Sequence, residues 1–600
     1  MVLNIEEKKD KQKDSYKAAI VQFNPILNER DENLKNLLIF VTEAAKNGAK
    51  LIVTPEMATT GYYYKNREAI KQFVDTIPGD TTRKFELIAK KYETYIIIGM
   101  PEVDEETEIY YNSAALVGPE GYIGKYRKIH QWETEGHWAA LGDLGVPVFK
   151  TKLGIIAINI CMDSLYFEAS RLAALNGADI IVFPTNSTAI SISLLQAWAE
   201  INGLYVLSAN RSNTENGYHM IGASAIWSPY GEKIVESKFI EKPKDDIDLP
   251  TIFYGEIDTT KYNNEAKKRL LERRPELYKD LMLYIAPWDY TKNIISHNLT
   301  GAIIQYEPIV GNKVLNMEKV KHLINKALTQ AKNFKRSLNL IVLPELSVIG
   351  PVDELSISEI SELAETTEGP SLEEIKNIAK ENNFYIVFGF LEKEDSKLFN
   401  TAALIGPMGE VEGKYRKTHL NKSDRRWADP GDQIKVFNTK IGRLGIMIGY
   451  DAAFPEIAGV LAVNRADIIA IPSSWYGEFG KEIAKNKNIS ASRYTEGALT
   501  TWDAIATGSQ AYTLVANFVG TYKNFLGSSA LYTLDPHYGL DQPIIAAHNK
   551  EEALVVNFSL IQSDWWYNQE KLIISRRTIF YKPLVIEKKE NNYNVESIIL

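Results

Sequence analysis

Short apolar runs of strand length recur along this chain, separated by longer stretches in which apolar and polar residues alternate at helical spacing. The runs "AAIVQF", "LIVTPE", "YIIIG" and "GIIAINI" are continuous and rich in β-branched residues, whereas "NLKNLLIFVTEAAKNGAK" carries its apolar positions on one side of a helix. Continuous apolar strands suit a sheet covered on both faces. The pattern predicts an α/β fold in which helices supply one cover and a second sheet can supply the other.

The same pattern is written twice. "AAIVQFNP" answers to "GAIIQYEP", "LIVTPE" to "LIVLPE", "YNSAALVGPEGYIGKYRK" to "FNTAALIGPMGEVEGKYRK" and "GADIIVFPTN" to "RADIIAIPSS", always in the same order. The offset is 289 between Glu56 and Glu345, 289 between Lys128 and Lys417, and 288 between Cys161 and Gly449. It widens to 307 between Asn210 and Asn517, which puts an insertion around "EFGKEIAKNKNISASRYTEG". A period this long means duplicated domains. We expect a charged lead at 1–15, one domain at 16–290 and a second at 291–600, joined near "YTKNIISHN".

Six hundred residues exceed a single hydrophobic core, in keeping with two domains. The formal net charge of -9 argues against a nucleic-acid partner, which calls for a basic excess. No apolar stretch is long enough for a membrane span, and "MVLNIEEKKDKQKDSYK" reads as a charged lead and not as a signal peptide. With Cys161 the only cysteine, no intrachain disulfide and no cysteine zinc cluster can form, and a reducing cytoplasm is the expected compartment. There is no P-loop, dinucleotide fingerprint or HExxH box, and His130, His137 and His219 lack metal-ligand spacing, so neither cofactor nor metal is expected.

Three residues carry candidate chemistry. Cys161 ends an apolar run and precedes the helical pattern "FEASRLAALNGA"; there a helix N-terminus would lower its thiol pKa, although a lone cysteine also serves as a small buried hydrophobe. Glu56 ends "LIVTPE" and alone reads as a loop glutamate; Lys128 in "GKYRKIHQWETEGHW" alone reads as one charge of a solvated turn. Together they are expected at the ends of successive strands of one sheet, converging on one crevice, since open α/β sheets collect their sites at strand carboxyl ends.

The order Glu56, Lys128 in "YRK", Glu135 seven residues on, and Cys161 in a "CxD" box resembles the nitrilase, or carbon-nitrogen hydrolase, superfamily over both repeats. The resemblance implies an α-β-β-α sandwich for each repeat and a pairing of the two units, helix face to helix face, as an intrachain pseudo-dimer on which further oligomers can build. It also implies a nucleophile at Cys161, a general base and acid at Glu56, an oxyanion-stabilising Lys128 assisted by the backbone N–H of Met162, and a second glutamate at Glu135, with Glu133 a neighbouring competitor. No cofactor is implied. The second repeat keeps Glu345 and Lys417 but has Asp424 and Gly449 in the other two places, so it is expected to be an inactive partner domain.

The box "CMDSLYFEA" lacks the tryptophan and glutamate that tend to follow the cysteine in nitrile-attacking members, and so resembles amide or N-carbamoyl hydrolases. The expected partner is a small-molecule amide, carbamoyl compound or nitrile. Tyr62, Tyr63, Trp132 and Trp138 form either an aromatic pocket wall or core and interface packing. An acyltransferase using a soluble acceptor and a non-catalytic binding protein are the rival readings.

Overall fold

The computed structural model describes residues 14–188, 191–240, 251–284, 298–476, 497–532, 543–560 and 568–587. The expected lead, except its last two residues, the expected joint but for Asn298, and most of the expected insertion lie outside the described residues.

In the first repeat one sheet is built from β1 (Ser15–Gln22), β2 (Leu51–Val53), β3 (Tyr95–Val103), β4 (Tyr110–Gly118) and β5 (Gly121–Arg127). A second sheet is built from β6 (Val148–Thr151), β7 (Gly154–Ile158), β8 (Ile180–Pro184) and β9 (Tyr205–Ala209). After a two-residue hairpin of β10 (Thr214–Glu215) and β11 (Tyr218–His219), β12 (Ala225–Trp227) and β13 (Lys233–Glu236) extend the second sheet, and β14 (Thr251–Asp258) returns to the first. The strand orders are β14-β1-β2-β3-β4-β5 and β13-β12-β9-β8-β7-β6. β1, β2 and β3 run parallel, as do β7, β8 and β9, which puts the carboxyl ends of three central strands of each sheet on one side.

Side-chain alternation then divides each strand. Ala19, Val21, Ile52, Ile96, Ile98, Ala115 and Val117 face α1 (Arg30–Lys46) and, after the one-turn α2 (Arg67–Ile70), α3 (Asp80–Tyr92), meeting Leu34, Leu37 and Val41 of α1 and Phe85 and Ala89 of α3. Their neighbours Ala18, Ile20, Leu51, Val53 and Ile97 are equally inaccessible on the opposite face, as continuous apolar runs require. Asp80 in the first turn of α3 and Lys90 and Lys91 in its last complement the helix dipole.

The second repeat has the same order. Helices Lys313–Asn333 and Pro370–Asn382 cover its first sheet, and Leu299, Ile303, Leu340 and Val342 meet Leu444, Ile446, Ile468 and Leu514 between the two sheets. Helices Pro455–Val463 and Thr500–Ser509 follow strands of its second sheet, and Leu461 packs over the Gly445 backbone of that sheet. The result is a helix–sheet–sheet–helix sandwich.

The compact units are not coextensive with the repeats. One comprises the described residues among Met1–Asp163, Asn176–Ala189 and Trp198–Lys268; the other those among Ser164–Leu175, Ile190–Ala197 and Arg269–Leu600. Helix α4 (Phe167–Leu175) thus belongs to the second unit, where Arg171 and Arg273 both pair with the buried Glu456, at 3.0 and 2.6 Å. Among the described residues no helix is long and apolar enough to cross a membrane.

Candidate active site

Glu56 lies three residues beyond β2, Lys128 directly after β5, and Cys161 three residues beyond β7, so the three come from both sheets and not from successive strands of one. The fold brings all three together with Glu135, which a 3-10 turn at Glu135–His137 turns inward. Lys128 Nζ donates to Glu56 Oε1 at 2.8 Å and to Glu135 Oε2 at 2.6 Å, with all three side chains almost wholly removed from solvent. The Trp132 backbone N–H also donates to Glu135 Oε2, at 2.6 Å. Neighbouring Glu133 is exposed, so Glu135 and not its competitor is the second carboxylate of the cluster.

Asn112, in the third position of β4, completes the set. Its Nδ2 donates to Glu56 Oε1 at 2.7 Å and to Glu135 Oε1, and its carbonyl accepts the Lys128 N–H at 2.9 Å. These bonds engage one oxygen of Glu56 twice and leave Oε2 buried without a hydrogen-bond partner among the described residues. Burial raises the Glu56 pKa above the ordinary glutamate value, Lys128 opposes that rise, and the Glu135 charge adds to it.

The expected lowering of the Cys161 pKa does not hold. Cys161 opens a 3-10 turn, Cys161–Leu165, and α4 starts only at Phe167, so Cys161 is not itself the first residue of an α-helix. Loss of solvation, followed by the Glu56 charge, pushes the thiol up to about 12, although Lys128 pulls it down. Cys161 keeps partial solvent access, and its Sγ approaches the Asn186 carbonyl at 3.9 Å.

Cys161 has φ +44°, a left-handed conformation costly for any residue with a β-carbon. Asp163 holds this turn: it accepts from the Ile160 N–H at 2.8 Å, Tyr126 Oη at 2.7 Å and the His130 N–H at 3.1 Å. Because Tyr126 and His130 flank Lys128, one carboxylate ties the thiol turn to the lysine strand. In the second repeat Asp451 makes the matching bonds to Ile448, Tyr415 and His419, and Gly449 has φ +42°.

The second site differs beyond the missing thiol. Lys417 contacts Glu345 Oε1 at 2.7 Å and Asp424 Oδ2 at 2.6 Å, and Asn400 donates to the same Oε1 at 2.7 Å. Glu345 Oε2, however, accepts from both the N–H and Oγ of Ser474, at 3.1 and 2.8 Å.

The four aromatic residues divide between the two readings. Tyr62 and Trp138 pack with Met57, Tyr64, Phe73 and Tyr110 in a buried cluster. Trp132 and Tyr63 are only partly buried, and both meet the Tyr218 ring. Glu215 accepts the Tyr62 and Tyr63 N–H groups at 2.8 Å each and pairs with Arg211 at 2.8 Å, fixing the backbone of that loop. Among the described residues no group of three His, Cys, Asp or Glu side chains is placed to hold a metal ion.

Each half of the chain is similar to known proteins. A nitrilase of Pyrococcus abyssi is 35% identical over 271 residues, covering 44% of this chain and 98% of its own. A citrullinase of Francisella tularensis is 31% identical over 290 residues, with 44% and 98% covered, and a formamidase of Bacillus cereus is 30% identical over 233 residues, with 36% and 69% covered. Among solved structures, a carbon-nitrogen hydrolase from Helicobacter pylori aligns over 44% of this chain and 98% of its own at 22% identity and TM-score 0.40. The carbon-nitrogen hydrolase family model matches residues 17–259 and again 301–537, and the chain belongs to that family, with two copies of its domain in tandem.

Proposed function

We propose that the chain is a thiol-dependent hydrolase of carboxamide or N-carbamoyl C–N bonds, acting through a thioester on Cys161. The observation that carries this reading is Glu56: buried, anchored through Oε1 by Lys128 and Asn112, and left with an unengaged Oε2, it is also the charge acting most strongly on the thiol.

A thiol with so high a pKa is protonated at neutral pH, so attack has to be coupled to proton removal. Glu56 takes the proton from Sγ as the S–C bond forms, and the carbonyl electrons become an oxyanion facing Lys128 Nζ and the Met162 N–H. Each such preorganised donor is worth about 3 kcal/mol in the transition state. Collapse breaks the C–N bond while Glu56 returns its proton to the leaving nitrogen. Water then attacks the thioester and gives its proton to Glu56, and the acid leaves as Cys161 recovers its hydrogen. Lys128 stays an ammonium throughout, since its two carboxylate partners hold its pKa above the ordinary lysine value against the effect of burial. Glu135 positions that ammonium.

The second repeat lacks the nucleophile at Gly449, which supports an inactive role for the set Glu345, Lys417 and Asp424. The relative named nitrilase favours a second reading, a nitrile substrate entering the same thioester. One panel separates the readings: wild type and C161A are incubated with amides, N-carbamoyl compounds and nitriles, with ammonia release and intact mass followed together. Ammonia from wild type alone, with a transient adduct on Cys161, is expected from amides or carbamoyl compounds. Equal turnover by both proteins would overturn the thiol mechanism.

A further inference from the structure

Asn186 follows Thr185 at the carboxyl end of β8, and its carbonyl already touches the Cys161 sulfur. The residue is 6% exposed, yet neither Oδ1 nor Nδ2 of its side chain has a hydrogen-bond partner among the described residues. A buried amide with both ends unmet is costly and calls for an occupant.

The second repeat tells where a side chain at this position points. Ser187 N–H donates to Asn210 Oδ1 at 2.9 Å, and Trp475 N–H donates to Asn517 Oδ1 at 2.7 Å, so the two loops are anchored alike and Asn186 corresponds to Ser474. Ser474 Oγ reaches the carboxylate of Glu345, the counterpart of Glu56. Position 186 therefore faces the reacting centre. Among the described residues its longer side chain forms no bond to Glu56, whose Oε2 has no hydrogen-bond partner there.

We propose that Asn186 is a specificity-determining residue that reads the substrate's amide group through two hydrogen bonds, Nδ2–H to an acceptor oxygen and Oδ1 from an N–H donor. A carboxamide or ureido group offers both partners, while a nitrile offers only a weak acceptor and a carboxylate only acceptors. This deepens the reading above, resting on it for the location of the reaction but not for the recognition itself.

Because Cys161 is the only cysteine, alkylation of the full chain reports this site without any need for turnover. Rates of mass increase are measured with iodoacetamide and with iodoacetonitrile, which share a leaving group and differ in amide against nitrile, each normalised to N-acetylcysteine. Wild type is expected to favour iodoacetamide by about tenfold over the normalised ratio, because a site built for hydrogen bonds discriminates against a ligand lacking them. N186L and N186D are expected to lose that preference, and N186D carries the test alone if N186L does not fold. An equal ratio in wild type and variant would overturn the proposal. A retained amide preference with no ammonia from any substrate would instead count against the hydrolase reading alone.

Discussion

A β-carbon at Gly449 would collide with Oε2 of Glu345. The carboxylate of the second repeat occupies the place from which a thiol would project, and the two Ser474 bonds keep it there. G449C in a C161A background is therefore expected to yield neither ammonia nor an acyl adduct. Turnover above that of C161A alone, measured on the same substrate as wild type, would show that the carboxylate yields more easily than its bonds imply.

The pH profile should carry the Glu56 shift. In the proposed mechanism the active form is the carboxylate, and its folded pKa is raised, so activity is expected above that pKa and is lost as pH falls through it. The acid limb of kcat/KM is expected above 4.5, the ordinary value for glutamate. With the thiol near 12, no further rise belongs between about pH 8 and 10. A tenfold increase per pH unit across that range would mean that preformed thiolate, and not proton transfer to Glu56, limits the rate.

E56Q keeps the size and the Oε1 contacts but cannot accept the proton. We expect kcat to fall by roughly 10²- to 10⁴-fold, the range for loss of a general base, with melting temperature nearly unchanged. A loss confined to KM would assign Glu56 to binding.

Asp163 links the turn of Cys161 to the strand of Lys128, so D163N should disturb both. It replaces a buried acceptor of several N–H and O–H bonds, and a cost of about 2–3 kcal/mol in urea unfolding is expected. Y126F removes one of the same bonds. The double variant should therefore be less destabilised than the sum of the two, whereas strict additivity would mean that the bond contributes nothing.

Glu215 acts at a greater remove. E215Q leaves the chemistry in place but weakens the hold on the Tyr62–Tyr63 backbone and the pairing with Arg211. KM should rise several-fold with kcat within about twofold, since uniform binding is lost without loss of transition-state contacts.

How much of this was legible beforehand depended on distance along the chain. Glu56 and Cys161 end or follow apolar runs, and together with Lys128 and Glu135 they stand in a recognisable order, so their convergence could be expected. Asn112 was missed although it interrupts the apolar β4 with an amide, and its recurrence as Asn400 in "FNTAALIG" was the available signal. Asp163 was noted only as part of a motif; its work lies in bonds to residues more than thirty positions away. Glu215 had no local signal, because it acts on a loop 152 residues distant; Asn186 lies in the loop after an apolar strand, a place where a pocket residue is expected, but what singles it out is a side chain without hydrogen-bond partners among the described residues. The direction of the thiol pKa is hidden for a related reason: the sequence around Cys161 shows only a helical pattern to come, whereas the burial and the Glu56 charge that raise it depend on residues distant along the chain.

The paired values of φ at Cys161 and Gly449 bear on the history of the duplication. A cysteine in this left-handed turn carries roughly 1–2 kcal/mol of backbone strain that glycine does not. On the proposed reading, in which the second copy has no catalytic role, glycine at this turn avoids that strain and leaves room for the Glu345 carboxylate. Restoring a thiol there would have to reintroduce the strain and displace the carboxylate in one step, so on that reading the change acts as a ratchet against recovery of a cysteine site.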